Sequence, residues 1–152
     1  MLAALVSALH VLSLGVGLGA IFSRGLALRA LTTEGALAGK RLFVADNLWG
    51  LAALAWLATG LTRLFGGIDK GLDFYVYNGF FWVKMGLFAM ILVLEIVPMV
   101  TFIRWRIAIG RGNSIDTRRA ALLVRINDAE TALVLLIPFV AAAMARGLWL
   151  FA

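Results

Sequence analysis

The sequence predicts an all-α membrane protein, a bundle of four transmembrane helices running up and down with both termini outside. Three observations carry this. The chain has 152 residues of which 63% are hydrophobic and 14% charged, against about 45–50% apolar in soluble domains, and its mean hydropathy is +1.00. The apolar residues gather into four runs long enough to cross a bilayer. The basic residues sit beside those runs, as the positive-inside rule places them. No polar remainder is large enough for a soluble domain, so residues 1–152 read as one transmembrane domain.

The first span covers about residues 2–23 and ends at Arg24. It lacks the basic start of a signal peptide and is too long for its apolar core, so it reads as a retained helix. Gly15 and Gly19 stand in GxxxG spacing and suggest close helix packing. A polar loop, residues 29–41, leads to the second span, 42–64, which opens with Asp46 and Asn47 and closes with Thr59 and Arg63. Residues 66–79 form a turn-rich loop with two aspartates. Tyr75, Tyr77 and Trp82 resemble an interfacial aromatic belt. The third span, 80–106, carries Lys84 and Glu95, with Pro98 placed to bend it. The basic loop 109–119 offers Ser114 or Asp116 as a helix cap. The fourth span, 117–149, exceeds the roughly 20 residues a bilayer requires.

Arg24, Arg29, Lys40 and Arg41 fall on one side, as do Arg104, Arg106, Arg111, Arg118 and Arg119. The opposite side has only Arg63 and Lys70. The termini are therefore expected outside, in the inner membrane of a bacterium. The net charge of +6 is explained in the same way, and no basic stripe interleaved with aromatics suggests nucleic acid. The chain has no cysteine, which excludes disulfides, thiolate clusters and a thiol nucleophile.

Charges inside spans are expensive and mark functional sites. At about 1.5 Å rise per residue they sort into two layers. His10, Arg63, Lys84 and Arg146 are expected in the outer half. Arg24, Asp46, Glu95, Arg125 and Asp128 are expected in the inner half, with Glu130 nearer the middle. Lys84 and Glu95 share one helix face, with Phe88 and Ile91 between them. Lys84 either snorkels or faces the bundle. Glu95 is either protonated or paired with Arg24 or Arg125. Asp46 caps its helix or joins the inner layer, and Asp128 has Arg125 within helical reach. His10, the lone histidine, suits a hydrogen bond between helices, a proton relay or a metal or haem ligand. Zinc held by protein groups alone is not expected, because it needs about three or four ligands. Neither a phosphate-binding glycine loop nor a Ser/His/Asp or HExxH arrangement occurs.

Several stretches resemble a family of small four-span bacterial membrane proteins classed as a domain of unknown function. They are SALHVLSLGVGLGAIFSRGLALR, ADNLWGLAALAWLATGLTRLF, FYVYNGFFWVKMGLFAMILVLE and IPFVAAAMARG. The specific run is FYxxNxxFWxKM, formed by Phe74, Tyr75, Asn78, Phe81, Trp82, Lys84 and Met85. Ala8, Leu9 and His10, with Trp82 to Met85, are also distantly similar to HemJ-type protoporphyrinogen oxidases, and the helical layout is similar to CopD-type proteins. This resemblance implies a protein that binds haem b or another tetrapyrrole and has a redox role. His10 would then be the axial ligand of haem iron, with Met85, Lys84, water or a partner subunit at the second axial site. Arg63 and Lys84 would hold carboxylates, and Lys84 and Glu130 would act in catalysis, with Asp46, Glu95, Arg125 and Asp128 carrying protons or pairing. The alternative is a non-catalytic accessory subunit of a larger membrane redox or photosynthetic complex. Beyond the lipid bilayer, a homodimer or such a complex is the expected partner.

Overall fold

The computed structural model describes residues 1–67 and 70–151; of Ala36, it describes only the backbone. Ile68 and Asp69 of the expected aspartate-containing loop lie outside the described residues. Four long helices form the bundle, α1 (Leu2–Glu34), α2 (Ala36–Phe65), α4 (Gly79–Gly110) and α5 (Ala120–Ala145), with a short α3 (Leu72–Val76) before α4. Each of the four is long and apolar enough to cross a membrane. Among the described residues there is no strand, only an isolated bridge between Asn78 and Leu150.

The first helix does not stop at residue 23. Nothing in GLALRALTTE breaks a helix, so α1 runs on to Glu34. The expected loop 29–41 shrinks to Gly35, whose φ of 52° only glycine adopts readily. Arg24 therefore lies inside α1, about 15 Å from the hairpin end. The expected GxxxG face is also corrected. Built Cβ atoms on Gly15 and Gly19 meet nothing within 4 Å, whereas one on Gly17 stands 3.4 Å from the Trp49 ring. The close approach of α1 to α2 is at Gly17.

The third span is longer than 80–106, and it stays helical through Pro98. Asn78 caps it, its side chain accepting from the Phe80 amide at 3.0 Å. The fourth span ends at Ala145 rather than 149. Gly147 takes φ 70°, and the chain turns back so that Phe151 N donates to Tyr77 O at 2.8 Å. Trp149 then covers Gly79, where any Cβ would collide with the indole. Tyr75 is buried rather than interfacial, while Tyr77 and Trp82 are exposed.

Asp116 caps the turn Thr117–Arg119 that opens α5, accepting from the Arg118 amide at 3.1 Å. The Arg118 side chain also donates to it, and these bonds hold the Asp116 carboxyl down at about 2. The folded value lies below the ordinary 3.8, so the cap is intact above about pH 4 and is lost as pH falls through about 2. Asp116→Ala should lower the hydrogen-exchange protection of the Arg118 amide at pH 6. The difference from wild type should vanish near pH 2; an unchanged protection factor at pH 6 would count against the cap.

α2 packs chiefly on α1, α4 on α5, and α1 on α5. The backbones of α2 and α4 stand apart, joined only by long side chains, which leaves the bundle open on one side. At the hairpin end Leu28, Leu42, Phe102 and Leu123 form a core, closed by Ile115 of the α4–α5 loop. A middle core joins Ile21, Trp49, Ile91 and Val134. Tyr75, Phe81 and Met144 close the terminal end, where both chain ends lie.

Candidate functional site: a charged clasp beside a lateral cleft

The charged layer toward the hairpin end is built around Arg24, which is wholly buried. Its Nε donates to Asn127 Oδ1 at 2.8 Å. Its Nη1 donates to both Glu95 oxygens, at 2.9 and 3.0 Å, and reaches Asp46 Oδ1 at 3.4 Å. Its Nη2 donates to Glu130. One guanidinium thus ties α1 to α2, α4 and α5, a use that the fixed fork of donors in arginine suits and a lysine could not serve. Trp49 Nε1 adds a bond to Glu95 Oε2 at 3.1 Å. Asn127 Nδ2 donates to Ile21 O, and Arg106 joins Asp46 Oδ2 at 2.8 Å and Asn47 Oδ1 at 2.9 Å.

Asp46 is therefore not a helix cap. It lies well inside α2, between two arginines. Asp128 pairs with Arg29 of α1 at 2.7 Å, not with Arg125, which is exposed. Both partners in that pair are half exposed, so it contributes little. Glu95 takes Arg24. Three carboxylates, Asp46, Glu95 and Glu130, face two guanidiniums, Arg24 and Arg106. Glu130 Oε1 is buried without a hydrogen-bond partner among the described residues, a costly state for a buried polar atom.

The gap between α2 and α4 is a cleft of about 600 Å³. Its walls are apolar, with Trp49, Trp56, Phe88 and Ile91, and its inner edge is formed by Asp46, Asn47, Glu95 and Arg106. The side chains of Asp46 and Glu95 keep 17% and 20% of their surface open, so the carboxylates front the cleft while Arg24 stands behind them. Leu51, Leu54 and Leu92 are exposed at its mouth, which opens where lipid would lie.

The layer nearer the chain ends brings His10, Arg63, Lys84 and Met85 to one pocket of about 130 Å³. Arg146 does not line it. His10 Nδ1 is 2.8 Å from Thr59 Oγ1, and its ring lies 5.6 Å from that of Trp56. A haem on His10 does not fit here. The volume is below the roughly 300–1,000 Å³ of small-molecule sites, and Trp56 stands against the ring.

A family model described as "Predicted membrane protein (DUF2214)" matches residues 2–148. The chain belongs to the DUF2214 family. No curated protein and no solved structure matches it. The family is that of an integral membrane protein of unknown function, which agrees with the four apolar helices. Sequence reasoning reached most of the charged residues of this DUF2214 member but passed over Asn127 and Trp49. Neither is charged, and only their contacts with Arg24 and Glu95 reveal them.

Proposed function

We propose that this chain binds a flat or elongated lipophilic molecule that enters the α2–α4 cleft sideways from the bilayer. The molecule presents N–H or O–H donors to Glu95 and Asp46. The observation that carries this is the cleft itself, about 600 Å³ with apolar walls and two partly open carboxylates at its inner edge. The size suits a small-molecule site. The carboxylates have lone pairs to spare beyond those used by Arg24, Trp49 and Arg106. A cyclic tetrapyrrole belongs to this class. Its pyrrole N–H groups would face Glu95 and Asp46, and a carboxylate arm would suit Arg106. The tetrapyrrole expectation thus moves from His10 to the cleft, and the redox role rests on the sequence resemblance alone. The same reading keeps the termini outside, in a bacterial inner membrane, because the basic loops gather at the hairpin end.

The second reading is the accessory subunit. It is favoured by the saturation of Arg24, which is what a purely structural clasp needs. The two separate in a titration of protoporphyrin IX into the protein in lipid nanodiscs, followed by quenching of tryptophan fluorescence. Gly50 lines the cleft, and a Cβ there meets nothing within 4 Å. Gly50→Phe therefore fills the cleft without disturbing the bundle. Binding should saturate in the wild type and weaken at least roughly tenfold in Gly50→Phe, a loss of about 1.4 kcal/mol. Equal affinity in both proteins, or no saturation at all, would remove the cleft as a tetrapyrrole site and leave the accessory role.

A further inference from the structure

We propose that the α2–α4 cleft holds one phospholipid with a primary ammonium head, of the phosphatidylethanolamine type, drawn from the leaflet at the hairpin end. This rests on the cleft reading above and names the occupant. The ammonium lies against Asp46 and Glu95, the phosphate beside Arg106, and an acyl chain along the apolar walls.

The order of charges along the cleft carries the argument. Arg106 lies about 6 Å and Glu95 about 22 Å from the hairpin end of α4 at Gly110. The cation is therefore nearer the membrane surface and the carboxylates are deeper. Arg106 meets Asp46 at 2.8 Å, and Asp46 and Glu95 share Arg24 Nη1, so the cation and the two carboxylates stand side by side. All three keep open surface, 38% of the Arg106 side chain, 17% of Asp46 and 20% of Glu95. A zwitterionic head matches these charges sign for sign. A purely anionic head would meet the two carboxylates, and like charges repel strongly where water is scarce.

The head, not the tail, decides what the cleft retains. Lipid tails are as apolar as leucine, so an acyl chain gains little by moving from the bilayer to the cleft walls. An ammonium is expensive at this depth unless a carboxylate meets it, and its N–H groups form charge-assisted hydrogen bonds there. A trimethylated head carries the same charge but has no N–H to give. The walls also suit a chain in length. From Asp46 to Trp56, both of which line the cleft, α2 advances about 15 Å.

The test is a competition among heads. The protein in mild detergent is incubated with equimolar phosphatidylethanolamine, its N-methyl and N,N-dimethyl derivatives, and phosphatidylcholine, all with the same acyl chains. Native mass spectrometry then identifies the retained lipid. The wild type should retain one lipid and prefer the primary ammonium over phosphatidylcholine about tenfold, with each added methyl lowering retention. Gly50→Phe, which fills the cleft, should lose the retained lipid, and Asp46→Asn should lose the preference. Should Asp46→Asn fail to fold, Gly50→Phe alone decides. Equal retention of all four lipids, or a preference that Gly50→Phe or a folded Asp46→Asn leaves intact, overturns the proposal. If protoporphyrin IX saturates the wild type in phosphatidylcholine nanodiscs and no lipid preference exists, this inference falls and the cleft reading stands; if both are absent, both fall.

Discussion

Arg24→Met should destabilise the bundle by about 3–5 kcal/mol, the range for removing one partner of a buried ion pair. Thermal unfolding in mild detergent should show a midpoint lowered by roughly ten degrees. The reason is the state left behind. Glu130 would lose its partner in a fully buried position, Glu95 would keep only Trp49, and Asp46 only Arg106. Much of the loss is the desolvation of stranded carboxylates rather than the value of the ion pairs. Arg24→Met combined with Glu95→Gln and Glu130→Gln should therefore recover a good part of it, because neutral amides need no counter-charge. A single variant as stable as the wild type would show that the clasp is ornamental.

Gly25→Leu should be nearly as damaging, at about 3 kcal/mol. A Cβ on Gly25 would stand 2.6 Å from Asn127 Nδ2 and 3.0 Å from Arg29 Nη1. Asn127 cannot retreat without giving up its bonds to Arg24 Nε and to Ile21 O. Overpacking of this kind costs about 1–3 kcal/mol, and a buried donor left unmade adds about 1–3 kcal/mol. Gly19→Leu, one position that opens away from the bundle, should cost far less in the same unfolding assay. Equal effects at the two glycines would mean that α1 does not pack on α5 through Gly25.

Much of this was legible in the residues. A chain so apolar must place its few charges against one another, and depth along a helix follows from a fixed rise. That is why Arg24 could be matched to Glu95, and His10 to Arg63 and Lys84, before any contact was visible. What depended on helix rotation was not legible. Asp46 near a helix start looks like a cap, yet α2 begins far earlier, at Ala36. Asp128 has Arg125 within reach along α5, yet it points across to Arg29 of α1. Gly15 and Gly19 match a packing motif but face away from the neighbours, and Gly17 and Gly25 between and beyond them make the contacts. The cleft was invisible for the same reason. It exists because α2 and α4 stand apart, and no residue in either helix announces the gap.

The two layers divide the labour of the bundle. At the hairpin side a saturated arginine fixes all four helices and steadies two carboxylates at the edge of an apolar cleft. At the terminal side His10, Arg63 and Lys84 line a small pocket together with Trp56, Phe88 and Met85. The absence of cysteine from the chain makes the cleft open to chemical probing. Leu92→Cys places a thiol at its mouth, and Leu136→Cys places one on the exposed side of α5, away from the cleft. Both are reacted with a lipid-soluble maleimide in nanodiscs, with and without saturating protoporphyrin IX. The account predicts that the porphyrin slows labelling at residue 92 several-fold and leaves residue 136 unchanged. Equal labelling rates at residue 92 with and without porphyrin would contradict it.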